Sequence, residues 1–190
     1  MDRNQELLQA VVEVINTETA SSKCFAMKGD VRSWEIVEAV VKKVVLVHGR
    51  IDILVNGAAG NFVSPADKLT SNAMKTVLET DTLGVFHMSK AVFVNSMKEN
   101  KSGTIINISA RTAETGAALM SHANAAKAGV DALSKVFAVE WGPYGVRVNT
   151  LTPGYIRETL GYRKLGSVFF KKNANKMANP DPSDKDFATD

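Results

Sequence analysis

The chain has 190 residues, 45% of them apolar, and a formal net charge of +3, which is enough for one substantial core and cramped for two. Its basic residues are scattered among acidic ones, which argues against a nucleic-acid binder, while phosphates of a nucleotide remain compatible. No apolar run approaches the ~18 residues needed to span a bilayer, and His48, His87 and His122 are too spread in sequence to make a metal site by spacing.

Residues 4 to 17 place Leu7, Leu8, Val11, Val14 and Ile15 on one face and predict an amphipathic helix. The run KCFAMKGDV, 23 to 31, predicts a short strand followed by a turn. Cys24 lies in it, has no internal disulfide partner, and reads as a buried strand residue in a reducing compartment. Ser33 is a candidate cap for a helix over 33 to 47, whose apolar positions are Ile36, Val37, Val40, Val41, Val44 and Val47. DILVNGA, 52 to 58, predicts a buried strand whose glycine marks its opening into a loop.

The pattern then repeats. A long helical segment from Asn72 to about Asn100 precedes the strand GTIINIS, 103 to 109, and a second from about Ala123 to Trp141 precedes VRVNTLTP, 146 to 153. Strands apolar on both faces, separated by helices, predict an α/β fold with a parallel sheet covered on both sides. Periodicity weakens after Gly154, and residues 174–190 read as a flexible tail. The N-terminal MDRNQELLQ has no basic-then-apolar leader, and the final Ala188, Thr189 and Asp190 do not match the peroxisomal tripeptide, so a soluble intracellular chain is expected.

NGAAGN at 56 to 61, Lys127 near the head of a helix and RVNTLTPG at 147 to 154 together resemble the short-chain dehydrogenase/reductase family. The loop wording, EWG at 140 to 142, and alanine where the family usually has a tyrosine four residues before the lysine are similar to the 2,4-dienoyl-CoA reductases, especially the peroxisomal type. The resemblance implies a Rossmann-like doubly wound sheet in three α/β/α layers, NADP(H) as cofactor, and reduction of a 2,4-dienoyl-CoA to a 3-enoyl-CoA in fatty-acid β-oxidation. It implies a peroxisomal setting, with a cytoplasmic one if the chain is not imported.

The chain opens at a position matching the end of the family's second strand. Residues 1–173 are therefore expected to form one incomplete domain without the first two strands, the glycine-rich cofactor turn or the last strand. The expected alternative is an inactive homologue that binds acyl-CoA or a partner, as a homo-oligomer or paired with a full-length reductase. In the family, helices matching 72 to 100 and 123 to 141 usually pair subunits.

By the same resemblance, Arg3 matches an arginine that meets the 2′-phosphate of NADP, although a solvated arginine reads the same way. Asp30 and Val31 match the adenine contacts, or alternatively a turn closed by an aspartate. Asn56, Ala58 and Gly60 belong to the small-residue loop that lets backbone approach a dinucleotide, and Pro153, Gly154 and Ile156 to the nicotinamide-facing segment around Tyr155. Substrate contacts are expected at Arg32 toward CoA, at Phe62 as an apolar wall, at Thr70, Ser71 and Asn72, which also suit a plain helix start, and at Arg163, with Arg157 and Lys164 as further CoA-phosphate candidates.

For chemistry, a hydride added to a dienoyl thioester pushes negative charge onto the thioester oxygen, and a proton must then reach carbon. Lys127 is the expected catalytic cation and ribose contact. The usual tyrosine position is Ala123, the usual serine position is Ala110 with Ser109 before it, and the tyrosine of the mitochondrial type falls on Thr112. Tyr144, Tyr155 and Tyr162 all lie downstream. The resemblance instead implies Asp81, in ETDTLG, as the acid or water-holder working with Lys127 and a water; a helix-surface aspartate is the other reading. His122 beside the empty tyrosine position is a further candidate donor.

Overall fold

The structure is a computed structural model and describes residues 1–19, 24–154 and 156. Helix α1 (Gln5–Glu18) starts where Asn4 accepts hydrogen bonds from the Glu6 and Leu7 N–H groups. Helix α2 (Trp34–His48) starts at Ser33, whose hydroxyl accepts from the Ile36 N–H. Three parallel strands, β1 (Ile53–Asn56), β2 (Gly103–Ile108) and β3 (Val146–Leu151), pair in the order β1-β2-β3. Asn56 is registered with Asn107, and Ile108 with Leu151.

Between β1 and β2 the chain runs in helical conformation through α3 (Ser71–Leu78), a π turn at Glu79–Leu83, α4 (Gly84–Val92), a second π turn at Phe93–Met97 and the short α5 (Lys98–Asn100). The single helix expected from 72 to 100 is thus interrupted twice by wider turns of the kind found at functional positions. Between β2 and β3 lie α6 (Thr112–Thr115) and the 21-residue α7 (Ser121–Trp141).

The core sits between the sheet and helices α2, α4 and α7. Leu54, Ile105, Val146 and Val148 point into it and meet Val37, Val41, Ala91, Val92 and Phe137. Trp141 stacks between Phe93 and Phe137, with ring centroids 4.3 and 4.1 Å away. A polar ladder crosses this layer: Asn56 Nδ2 donates to Ser89 Oγ and Asn107 Oδ1, Asn107 Nδ2 to Ser134 Oγ, and Ser134 Oγ to the Val130 carbonyl. Every buried group in it therefore has a partner, as burial requires.

These elements form the expected incomplete Rossmann-like α/β/α arrangement, with two corrections. Among the described residues only one face of the sheet is well covered. Ile53, Val55 and Leu151 on the other are 65%, 58% and 56% exposed, because no described helix buries them, and the apolar face of α1 (Leu7, Val11, Val14) stays exposed as well. The second correction is the expected strand over 23 to 31. Its described part forms only an isolated parallel bridge, Asp2 to Lys28, with the Gly29 N–H donating to the Asp2 carbonyl. A strand needs an extended neighbour along its length, and Asp2 supplies a single residue of one. Cys24 is half-buried rather than buried, and the Asn16 amide takes the place of a ladder, bonding both its N–H and its carbonyl.

Candidate functional site

Asp81 lies within the first π turn and is 2% exposed. Thr82, the next residue, sets the turn against α7: its hydroxyl donates to the Ala126 carbonyl at 2.8 Å, and Gly129 leaves room where a Cβ would meet Thr82 Cγ2 at 2.9 Å. Lys127 thereby reaches Asp81, with Nζ 3.2 Å from Oδ2. The same ammonium donates to the Ile108 carbonyl at 2.9 Å, joining α7 to the end of β2. The other carboxylate oxygen accepts the Gly60 N–H at 2.9 Å.

Burial pushes the Asp81 carboxyl above the ordinary carboxylate range, while Lys127, the Gly60 N–H and His122 pull it back. Burial wins because it penalises the charged form more than a cation and one donor repay. The result is an acid that holds its proton to a higher pH than a surface aspartate, beside an ammonium largely withdrawn from water. This pair stands at the carboxyl ends of the strands, where open α/β sheets place their ligand crevice.

Around it, Ala123 is buried, Ala110 is half-buried, and Ser109 Oγ is buried without a hydrogen-bond partner. Among the described tyrosines, Tyr144 lies before β3, against Phe93 and the Lys98 ammonium, at the opposite end of the sheet. Thr112 opens α6.

Of the expected cofactor residues, Val31, Asn56 and Ala58 line one cleft of about 320 Å³ with Asp2, Gly57 and Gly84. Asn56 spends its amide on the core ladder. Asp30 is held by Arg32 through Nε at 3.0 Å and Nη2 at 2.6 Å, which keeps its carboxyl below the usual range, with Arg3 adding a smaller pull. Arg3 itself is exposed, in an adjoining shallow depression with Asn4, Gln5 and Glu6 that shares Asp2 with the cleft. Pro153, Gly154 and Ile156 follow β3, next to the point where the Ser109 N–H donates to the Leu151 carbonyl.

Of the expected substrate residues, Arg32 is occupied by Asp30. Phe62 stacks on His122 at 4.2 Å. Thr70 accepts the Ala73 N–H as the cap of α3, and with Ser71 it borders an apolar groove of about 940 Å³ walled by Leu69, Met74, Leu78 and Phe86. Asn72 does not line that groove. Tyr155, Arg157, Tyr162, Arg163, Lys164 and the tail 174–190 lie outside the described residues. Sequence reasoning missed the direct partnerships of Asp81 with the Gly60 N–H and of Lys127 with the Ile108 carbonyl, because backbone groups leave no mark in the letters.

The short chain dehydrogenase family model matches residues 1–166. Over 164 residues the chain is 46% identical to a peroxisomal 2,4-dienoyl-CoA reductase [(3E)-enoyl-CoA-producing] of Danio rerio, covering 86% of this chain and 54% of that protein. It is 42% identical to a probable 2,4-dienoyl-CoA reductase of Bacillus subtilis, covering 86% of this chain and 64% of that one. The chain spans about half the length of the peroxisomal relatives it matches. Among solved structures, a citronellol catabolism dehydrogenase of Pseudomonas aeruginosa superposes with a TM-score of 0.76 at 32% identity, covering 85% of this chain and 64% of that one. A gluconate 5-dehydrogenase of Burkholderia cenocepacia in complex with NADP and tartrate superposes with a TM-score of 0.79 at 27% identity, covering 90% and 66%.

Proposed function

The chain belongs to the short-chain dehydrogenase family, and from that membership we propose that it carries the proton-handling site of an NADPH-dependent 2,4-dienoyl-CoA reductase. The observation that carries the reading is the buried Asp81–Lys127 pair, at 3.2 Å, next to an alanine at the usual tyrosine position. The names of the relatives support the substrate and a peroxisomal lipid-breakdown setting.

A bound nicotinamide would supply the hydride. The residues present suit its ribose end: Lys127 offers an ammonium, and Gly57 and Ala58 leave backbone exposed beside the cleft. Asp30, Val31, Asn56, Ala58, Gly60, Pro153, Gly154 and Ile156 are the cofactor wall we assign, with Arg3 toward a 2′-phosphate. Phe62, Thr70, Ser71 and Asn72 are assigned to the acyl side. Arg32 is assigned to CoA, and it must exchange its Asp30 partner to serve there.

In this reading Lys127 stabilises negative charge as the thioester becomes a dienolate, and Asp81 holds the water that protonates carbon, with the raised proton affinity of its carboxyl suiting it to pass a proton back to that water. Exposed Val136 and Val139 on α7, 50% and 78% accessible, support subunit pairing through that helix. A second reading, an inactive homologue that binds a partner, is favoured by the exposed sheet face of Ile53, Val55 and Leu151.

The test is a titration of the folded chain with NADPH, following nicotinamide fluorescence, and then turnover of a 2,4-dienoyl-CoA. Saturable binding with turnover that Asp81→Asn abolishes is expected. Absence of NADPH binding by folded protein refutes the reductase reading and leaves the partner-binding one.

A further inference from the structure

His122 is completely buried in the first turn of α7 and has no part in the reaction as proposed. Its Nε2 stands 3.0 Å from the Phe62 carbonyl. A carbonyl only accepts, so Nε2 carries a proton and donates it to the loop. The other ring nitrogen, Nδ1, has no hydrogen-bond partner. The ring's Nε2–H is thus committed to the loop.

The contact has two parts. Beyond the hydrogen bond, the imidazole stacks on the Phe62 ring with centroids 4.2 Å apart and planes 18° from parallel. A second tie joins the same two segments, the Ser64 N–H donating to the Leu119 carbonyl at 3.0 Å. The loop between Asn56 and Phe62 is small-residue chain with little packing of its own: a Cβ added at Gly60 would meet nothing within 4 Å, and one at Gly57 would meet only Ile108 Cγ1 at 3.9 Å. Yet Gly60 is the residue whose N–H reaches Asp81. Something outside that peptide must fix its direction, and the anchor two residues on is Phe62.

We propose that His122 is a positioning residue: by clamping Phe62 it holds the 57–62 loop so that the Gly60 N–H faces Asp81. Its bearing on catalysis rests on the reductase reading, but its structural content does not. The Gly60 N–H favours the charged carboxylate, so loosening the clamp raises the proton affinity of Asp81, with Lys127 and His122 the other groups acting on it.

The experiment uses the full chain without cofactor or substrate and reads Gly60 amide exchange and the Asp81 carboxyl titration by NMR. His122→Phe keeps an aromatic stack and removes the donor. Gly60 exchange about tenfold faster, with Asp81 titrating at higher pH, is expected. His122→Gln, which retains an N–H able to reach the carbonyl, should restore both. Unchanged Gly60 exchange in folded His122→Phe overturns the proposal whatever Asp81 does, since removing His122 also acts directly on that carboxyl. Should that variant not fold, His122→Leu, which lacks both the donor and the ring, decides: Gly60 exchange about tenfold faster supports the clamp, and exchange within about twofold of wild type overturns it. Failure of the chain to bind NADPH would sink the reductase reading and leave these readouts intact.

Discussion

Replacing Lys127 with methionine keeps the side chain's length and deletes the cation 3.2 Å from Asp81. A carboxylate stranded at 2% exposure costs about 3–5 kcal/mol. The group escapes by keeping its proton, and at pH 7 that escape is limited to about 4 kcal/mol, the cost of protonating an aspartate about three units above its solution pKa of about 3.9. Wild type already bears part of this, since burial lifts its own carboxyl, so about 4 kcal/mol is a ceiling.

The sign is fixed by linkage. The folded variant's proton affinity is raised above the unfolded one, so the penalty is absent below the unfolded pKa and grows by about 1.4 kcal/mol per unit as pH rises. At pH 5 the ceiling is about 1.5 kcal/mol. Loss of the bond to the Ile108 carbonyl adds about 1 kcal/mol at every pH. Urea unfolding of wild type and Lys127→Met at pH 5, 6 and 7, followed by circular dichroism, should show a destabilisation that widens with pH. The double variant with Asp81→Asn should lose that dependence. A destabilisation constant from pH 5 to 7, or one that shrinks as pH rises, would refute the reasoning.

Three further outcomes are expected. Gly145 has a φ of 69° and the backbone carbonyl of Lys101 where its Cβ would go; Gly145→Ala should cost at least about 2 kcal/mol in urea unfolding because a backbone group cannot swing aside. Asn107→Leu removes the central member of the core ladder and leaves Asn56 and Ser134 short of partners, so a loss of about 2–4 kcal/mol in thermal or urea unfolding is predicted. Arg32→Ala should cost only about 0.5–1 kcal/mol at pH 7, since the pair with Asp30 is partly exposed. Because Asp30 is depressed, that stabilisation is present above its unfolded pKa and should vanish as pH falls through the folded one.

The sequence made the three described strands and α2 and α7 legible because their apolar spacing is local: Ser33 announces α2, and Leu54, Ile105 and Val148 mark strand interiors. The Asp81–Lys127 pairing came from resemblance, and its two ends are 46 positions apart in sequence. What spacing could not report was the environment of each element. KCFAMKGDV has strand composition but only one bridged residue among those described, and Ile53 and Val55 have core composition but remain exposed. Thr70, which suits a substrate contact or a helix start, caps α3, and Arg32, expected to face CoA, is satisfied by Asp30. Local letters carry propensity, whereas burial and pairing depend on neighbours elsewhere in the chain.

The π turn at Glu79–Leu83 has a consequence for how position 81 is encoded. A π turn takes in one more residue than an α turn, and one residue is about 100° of rotation. The buried stripes before and after it, Val77 on one side and Val85 on the other, are therefore out of phase with each other by that single residue. Asp81 faces Lys127 as a matter of counting as much as of contact. Deleting one residue within the turn would bring the two stripes back into step and make a more regular helix, and it would rotate the carboxylate away from Lys127.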